Sequence, residues 1–90
     1  MFFAGIIERE KMKTELFIKA ILNRNRIKLL YNLEETLVEP YFLSKNRVGE
    51  KVVYGRINNS HEIKMIEYNK IMNIKILGYS HFSPIIPILN

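Results

Sequence analysis

A mainly β fold is what this sequence predicts: an N-terminal α-helix followed by five short antiparallel strands curled into a small barrel. Three observations lead there. Apolar residues recur at spacings of four only as far as about Asn23, and from Arg26 onward the period drops to near two. Clusters of Asn, Gly, Glu and Ser then interrupt the chain at short intervals, and no second helix of any length follows. The length of 90 residues, 48% hydrophobic and 26% charged, suits a single folded domain and argues against disorder.

The helix is expected from about Lys11 to Asn23. Met12, Leu16 and Ala20, with Phe17 and Ile21, gather into one stripe, leaving Lys13, Glu15 and Lys19 for water. Asn23 and Asn25 suit its end, where Arg24 and Arg26 would favour the negative pole of the helix dipole. Residues 1–10 are apolar but interrupted by Gly5, and either extend the helix or fray.

Strand signals follow in order. Ile27, Leu29 and Tyr31 alternate with Lys28 and Leu30, and 32–35 turns the chain. Thr36 to Ser44 is rich in β-branched and aromatic residues. Pro40 within it predicts an edge position or a bulge, because proline cannot donate to a ladder. After a turn at 45–49, Glu50 to Ile57 forms the third strand, with Gly55 marking a bend or a close backbone approach. Asn58-Asn59-Ser60 leads to a fourth strand, His61 to Tyr68, and a fifth spans Met72 to Leu77. A five-stranded sheet is too small for a sandwich, and closing it into a barrel of the SH3, Sm or OB kind would remove its edges. The expected division is a helical segment at 1–25, a barrel at 26–77 and an apolar, Pro-containing tail at 78–90. That tail carries no Lys, Arg, Asp or Glu and needs covering, either by its own barrel or by a partner subunit.

Composition removes much chemistry. No Cys and no Asp occur, which excludes disulfides, thiolate metal sites and Asp-based triads. His61 and His81 lack metal-ligand spacing, Glu34 and Glu35 share a turn, and nothing orients His61 with Glu62 as an acid–base pair. No enzyme, metal or cofactor is expected. The opening apolar stretch stops at Glu8 without a basic start or a cleavage pattern, and no run approaches the roughly 20 apolar residues of a spanning helix. A cytoplasmic location without membrane association is therefore the expectation.

The net charge of +5 is placed unevenly. Bases and acids cancel over residues 1–15, and between Leu16 and Leu33 the only charges are Lys19, Arg24, Arg26 and Lys28. A basic barrel with Tyr31, Tyr41, Phe42, Tyr54 and Tyr68 on its strands has the parts that bind single-stranded nucleic acid: rings to stack bases and cations to hold phosphates. Against this, basic patches also serve as solvated surface, and strand aromatics are more often core than platform.

From about Leu16 to Leu77 the order of pieces resembles the WYL domain of bacterial regulators. Ala20-Ile21 ends the helical approach, Arg26 to Tyr31 forms a strand ending in Tyr, and Val38-Glu39-Pro40-Tyr41-Phe42-Leu43 follows. Lys64-Met65-Ile66-Glu67-Tyr68-Asn69-Lys70-Ile71 matches the family's Arg-x-Phe-x-Leu-Asp-Arg-Ile pattern, with Lys at both basic positions. The name-giving Trp-Tyr-Leu reads Lys51-Val52-Val53 here. The resemblance implies an Sm-like, SH3-type barrel in a ligand-sensing module that binds nucleic-acid or nucleotide ligands and serves transcription regulation or phage defence. It implies a free-standing sensor, a truncated relative or an accessory subunit. The expected ligand residues are Lys51, Arg56, Lys64 and Lys70 on phosphate, with Tyr41 or Tyr54 for stacking. The alternative is a protein-interaction or homodimerisation module in which the apolar segment 82–89 docks on a neighbour or on a regulatory protein.

Overall fold

The computed structural model describes residues 2–84, with side chains from residue 8 onward. Helix α1 (Phe2–Asn23) precedes strands β1 (Asn25–Tyr31), β2 (Glu34–Lys45), β3 (Lys51–Ile57), β4 (Ile63–Glu67) and β5 (Ile71–His81), with a 3-10 turn at Tyr68–Lys70. The fold is mainly β, a five-stranded antiparallel sheet in the order β4-β3-β2-β1-β5 with one N-terminal helix. β4 and β5 are its two edges. No ladder joins them, so the closed barrel expected from the sequence gives way to an open sheet. The expected fifth strand runs on past Leu77 to His81, taking residues 78–81 out of the tail.

The helix continues without a break from Phe2, so Gly5 does not interrupt it. It ends at Arg24, which takes up the left-handed region (φ 55°) and donates its N–H to Ile21 O at 3.2 Å. β1 and β2 are joined by Asn32 and Leu33, both at positive φ, a two-residue hairpin turn whose twist matches that of the strands. Asn58 and Asn59, also at positive φ, turn the chain after β3, where Ser60 donates its N–H to Ile57 O. There, Asn58 ties the turn to β2 by donating its N–H to Leu37 O and accepting Leu37 N–H on Oδ1.

One face of the sheet packs on the helix. Phe17 and Ala20 lie on Ile27, Leu29, Val38, Val53, Ile66, Tyr68 and Ile71, all buried. The Phe17 and Tyr68 rings meet at 5.4 Å between centroids. Burying a side chain such as Phe17 contributes about 1.5–3 kcal/mol, which makes this stripe the main attachment of α1. Phe82 is also buried, its ring stacked 5.7 Å from Tyr41, and its N–H donates to Arg24 O. The start of the expected docking segment 82–89 is therefore covered by its own chain, and its portion from 85 on lies outside the described residues.

Pro40 sits in β2, a central strand, and is tolerated there because the register shifts between Pro40 and Phe42. Past the bulge Phe42 stands on the face away from the helix, opposite Tyr54, while Tyr41 is buried. Gly55 opposes Pro40, and a Cβ built there would fall 2.3 Å from Glu39 O. The close approach read from the sequence is thus backbone against backbone, and nothing flexible can yield. β5 is irregular too: Gly78–Ser80 form an excursion between its pairings with Asn25 and Arg26, and a second shift falls around Asn73 (φ 54°).

On the face away from the helix, Glu39 is 2% exposed and carries two arginines. Arg26 Nε donates to its Oε2 at 3.1 Å, and Arg56 Nη2 donates to the same oxygen at 3.3 Å. Arg56 Nε lies 2.9 Å from Oε1, as an ion pair without hydrogen-bond alignment. Arg26 also donates to Ser80 Oγ and His81 O in β5. Arg26 is thus spent inside the sheet rather than on the helix end.

Two substitutions test this architecture. Gly55→Ala is expected to cost about 3 kcal/mol, the upper part of the overpacking range, in urea unfolding. Gly78→Ala, where a Cβ meets nothing within 4 Å, is the near-neutral control, and equal midpoints for the two would contradict the reading. Glu39→Gln leaves two guanidiniums facing each other with no counter-charge and is expected to cost on the order of 3 kcal/mol. A wild-type unfolding midpoint would show that the cluster holds nothing.

Candidate nucleic-acid interface

The six residues proposed from sequence do not share one surface. Tyr41 is fully buried against Phe82, so its ring is not offered to a base. Arg56 is tied to Glu39. Lys70 pairs with Glu67 at 3.2 Å, and that hydrogen bond holds its pKa above the usual lysine value. Lys51 and Lys64 lie on the helix side of the sheet, two residues before the core residues Val53 and Ile66. Tyr54 alone among the six is a partly exposed ring on the opposite face.

What the fold does assemble lies around the β2–β3 hairpin. Phe42, Tyr54 and Met65 stand side by side across β2, β3 and β4. The Phe42 and Tyr54 rings stack with centroids 4.9 Å apart and planes 20° from parallel, while Phe42 and Met65 are 37% and 39% exposed. An open depression of about 420 Å³ adjoins this row, lined by Lys45, Asn46, Arg47, Val48, Tyr54 and Met65. No ion pair engages Lys45 or Arg47 among the described residues. A half-exposed aromatic pair flanked by free cations can stack a planar group and neutralise an anion beside it.

Asn46 holds this loop in shape. Its Oδ1 accepts the N–H groups of Val48 at 3.1 Å and Glu50 at 2.9 Å, and its Nδ2 donates to Glu50 Oε1 at 3.0 Å. Its backbone N–H and C=O bond Glu50 O and Gly49 N–H, and Gly49 takes the left-handed conformation (φ 84°) that closes the turn. Arg47 is thereby presented at the tip of a fixed loop, and Glu50 is occupied within it.

On the helix side of the same hairpin lies a second depression, of about 280 Å³, lined by Thr14, Leu43, Ser44, Lys45, Lys51 and Tyr68. Thr14 Oγ1 and Tyr68 OH are 3.0 Å apart, and Lys13 Nζ donates to Tyr68 O at 2.7 Å. Burial pushes the Lys13 ammonium below and the Tyr68 phenol above their usual pKa values. His61 and Glu62, in the loop before β4, and His81, at the end of β5, are all exposed. No helix of the described residues is long and apolar enough to cross a membrane.

From sequence, Phe42 is only one of five strand aromatics, and Lys45, Arg47 and Met65 are not singled out. The available signal was the run of cations around Asn46 and Gly49, which reads as an ordinary turn until the strands on either side are assigned to faces. No family model, curated protein or solved structure matches this chain.

Asn46→Ala is expected to lower stability by about 1 kcal/mol, the net worth of such bonds at a solvated site. Hydrogen exchange should show the Val48 and Glu50 amides losing protection first. Unchanged exchange at both would mean the loop is held by other means.

Proposed function

We propose that this chain is a non-enzymatic ligand-binding module for single-stranded nucleic acid or a nucleotide-type ligand, engaged through the β2–β3 hairpin. The observation that carries the reading is the juxtaposition of the stacked Phe42–Tyr54 pair and Met65 with the unpaired cations Lys45 and Arg47 on a loop fixed by Asn46. Bases stack on the aromatic row, and the backbone follows the cations. Arg56 contributes field from its place beside Glu39 rather than a direct phosphate contact, because its guanidinium is already engaged.

The same reading groups the chain with WYL domains. It takes the curled sheet as an Sm/SH3-like barrel left open between β4 and β5, and assigns the module to a cytoplasmic regulator of transcription or phage defence. The support is the order of motifs together with the five-stranded antiparallel sheet behind an N-terminal helix.

Fluorescence anisotropy with a labelled oligothymidylate tests the proposal. The logarithm of affinity is expected to fall linearly with the logarithm of salt concentration, with a slope of about 0.7 per phosphate neutralised, and Arg47→Gln should reduce that slope by about one such increment. Tyr54→Ala should weaken binding about tenfold, within the range of one lost stacking interaction. Absence of binding to single-stranded DNA and RNA at low salt would refute the proposal.

A further inference from the structure

The helix-side depression has a charge pattern that the stacking surface does not explain. Lys45 and Lys51 are directly opposite each other across β2 and β3. Side chains so paired start about 4.5–5.5 Å apart at Cβ, and like charges there are destabilising. No acid lines the depression, and neither lysine has an ion-pair partner among the described residues. Glu50, next to Lys51 in sequence, is bonded by Asn46, and Glu67, across from Val52 on β4, is paired with Lys70. Two facing ammonium groups are thus left to be neutralised from outside.

The walls add donors of the right kind. Thr14 and Tyr68 share one hydrogen bond between two hydroxyls, which leaves one hydroxyl proton available, whereas the Ser44 hydroxyl on the same rim donates to Lys45 O. Helix α1 and the 3-10 turn bound this side through Thr14 and Tyr68, whereas the aromatic row on the other side is open along the sheet. Lys45 lines both depressions and links them over the hairpin.

We infer that the helix-side depression, with Lys45 and Lys51 as its paired cations, takes the terminal phosphate monoester of a nucleic-acid strand whose neighbouring base stacks on Phe42 and Tyr54. The inference rests on the nucleic-acid reading above and narrows it to a strand end. Charge count selects the end: a terminal monoester carries about −1.5 to −2 at neutral pH and matches two ammonium groups, whereas an internal diester carries a single charge. Lysines act as point charges without a demand for planar, bidentate geometry, so they accept the three free oxygens of a monoester in any rotation. The continuity of Lys45 with the Tyr54 side favours a nucleotide over a phosphoserine peptide, whose phosphate has no flat ring beside it.

The test compares one short oligonucleotide with a 5′-phosphate, a 3′-phosphate, free hydroxyl ends, or a 5′-phosphate capped as its methyl ester, all by competition against the full-length protein. A terminal phosphate is expected to tighten binding about tenfold over the hydroxyl form, as a charge-assisted contact does, and methylation should abolish most of that gain. Whichever phosphorylated end shows the gain is the end bound. Lys51→Gln should bring the ratio of phosphorylated to hydroxyl affinity close to one, with circular dichroism confirming that the variant is folded. Thr14→Val, which keeps the side-chain shape, should lower the same ratio. Equal affinity for phosphorylated and hydroxyl strands would overturn this inference and leave the nucleic-acid proposal standing. Failure of every strand to bind would overturn both. A phosphoserine peptide that binds while the strands do not would reassign the depression to a protein ligand.

Discussion

The Glu39 carboxylate is the constraint on which the outer face of this sheet depends. A buried anion is tolerated only with partners, and Glu39 has one on either side: Arg56 from β3 and Arg26 from β1, the latter reaching on to Ser80 and His81 of β5. Four strands are thereby locked at one level. A slip of any one by a single residue would send its charged side chain to the helix face, into a core of Phe17, Ile27, Val38 and Val53. Register fixed at this row fixes the next row as well, which is the Phe42, Tyr54 and Met65 stripe. The cluster has nothing to do with ligand chemistry directly, yet it determines that these three side chains stand next to one another.

The bulge at Pro40 explains where the sequence was readable and where it was not. Periodicity located all five strands and the helix, and it flagged Pro40 and Gly55 as irregular. Strict alternation, however, puts Tyr41 on the face of Glu39 and Phe42 on the face of Val38. One extra residue in β2 breaks that alternation: Phe42 comes to the Tyr54 face, and Tyr41 is buried against Phe82. Of the two rings offered for stacking from sequence, Tyr41 is therefore buried and Tyr54 is partly exposed. Sequence also gives no sign that a single Glu among many lysines will capture Arg56, because that depends on register across three strands. The extent of β5 was hidden for a similar reason: Gly78 reads as a terminator, but the strand loops out over three residues and resumes pairing at His81.

The cations of the hairpin have no ion-pair partner among the described residues, and that organises the functional reading. Four of the sheet's cations, Arg26, Lys28, Arg56 and Lys70, are answered by carboxylates within the chain. Those of the hairpin, Lys45, Arg47 and Lys51, are not, and they stand on the loop whose backbone is most thoroughly fixed by a side chain, Asn46. Positive charge held in place without a counter-ion keeps its long-range field and loses little further freedom when a ligand arrives. Surface lysines scattered on flexible segments would lack both properties.

The interruptions in β5 bear on self-association. An edge of eleven residues is long enough to act as a template for a second copy of the chain, with every free amide and carbonyl aligned for capture. Here the template is cut twice, by the Gly78–Ser80 excursion and by the kink at Asn73, and the exposed Lys75 lies between them. What remains on either side is too short and too twisted to seed a continuous intermolecular ladder. The opposite edge, β4, is only five residues long and carries Lys64. An unclosed sheet of this size thus guards itself against fibril growth by breaking its own borders rather than by hiding them.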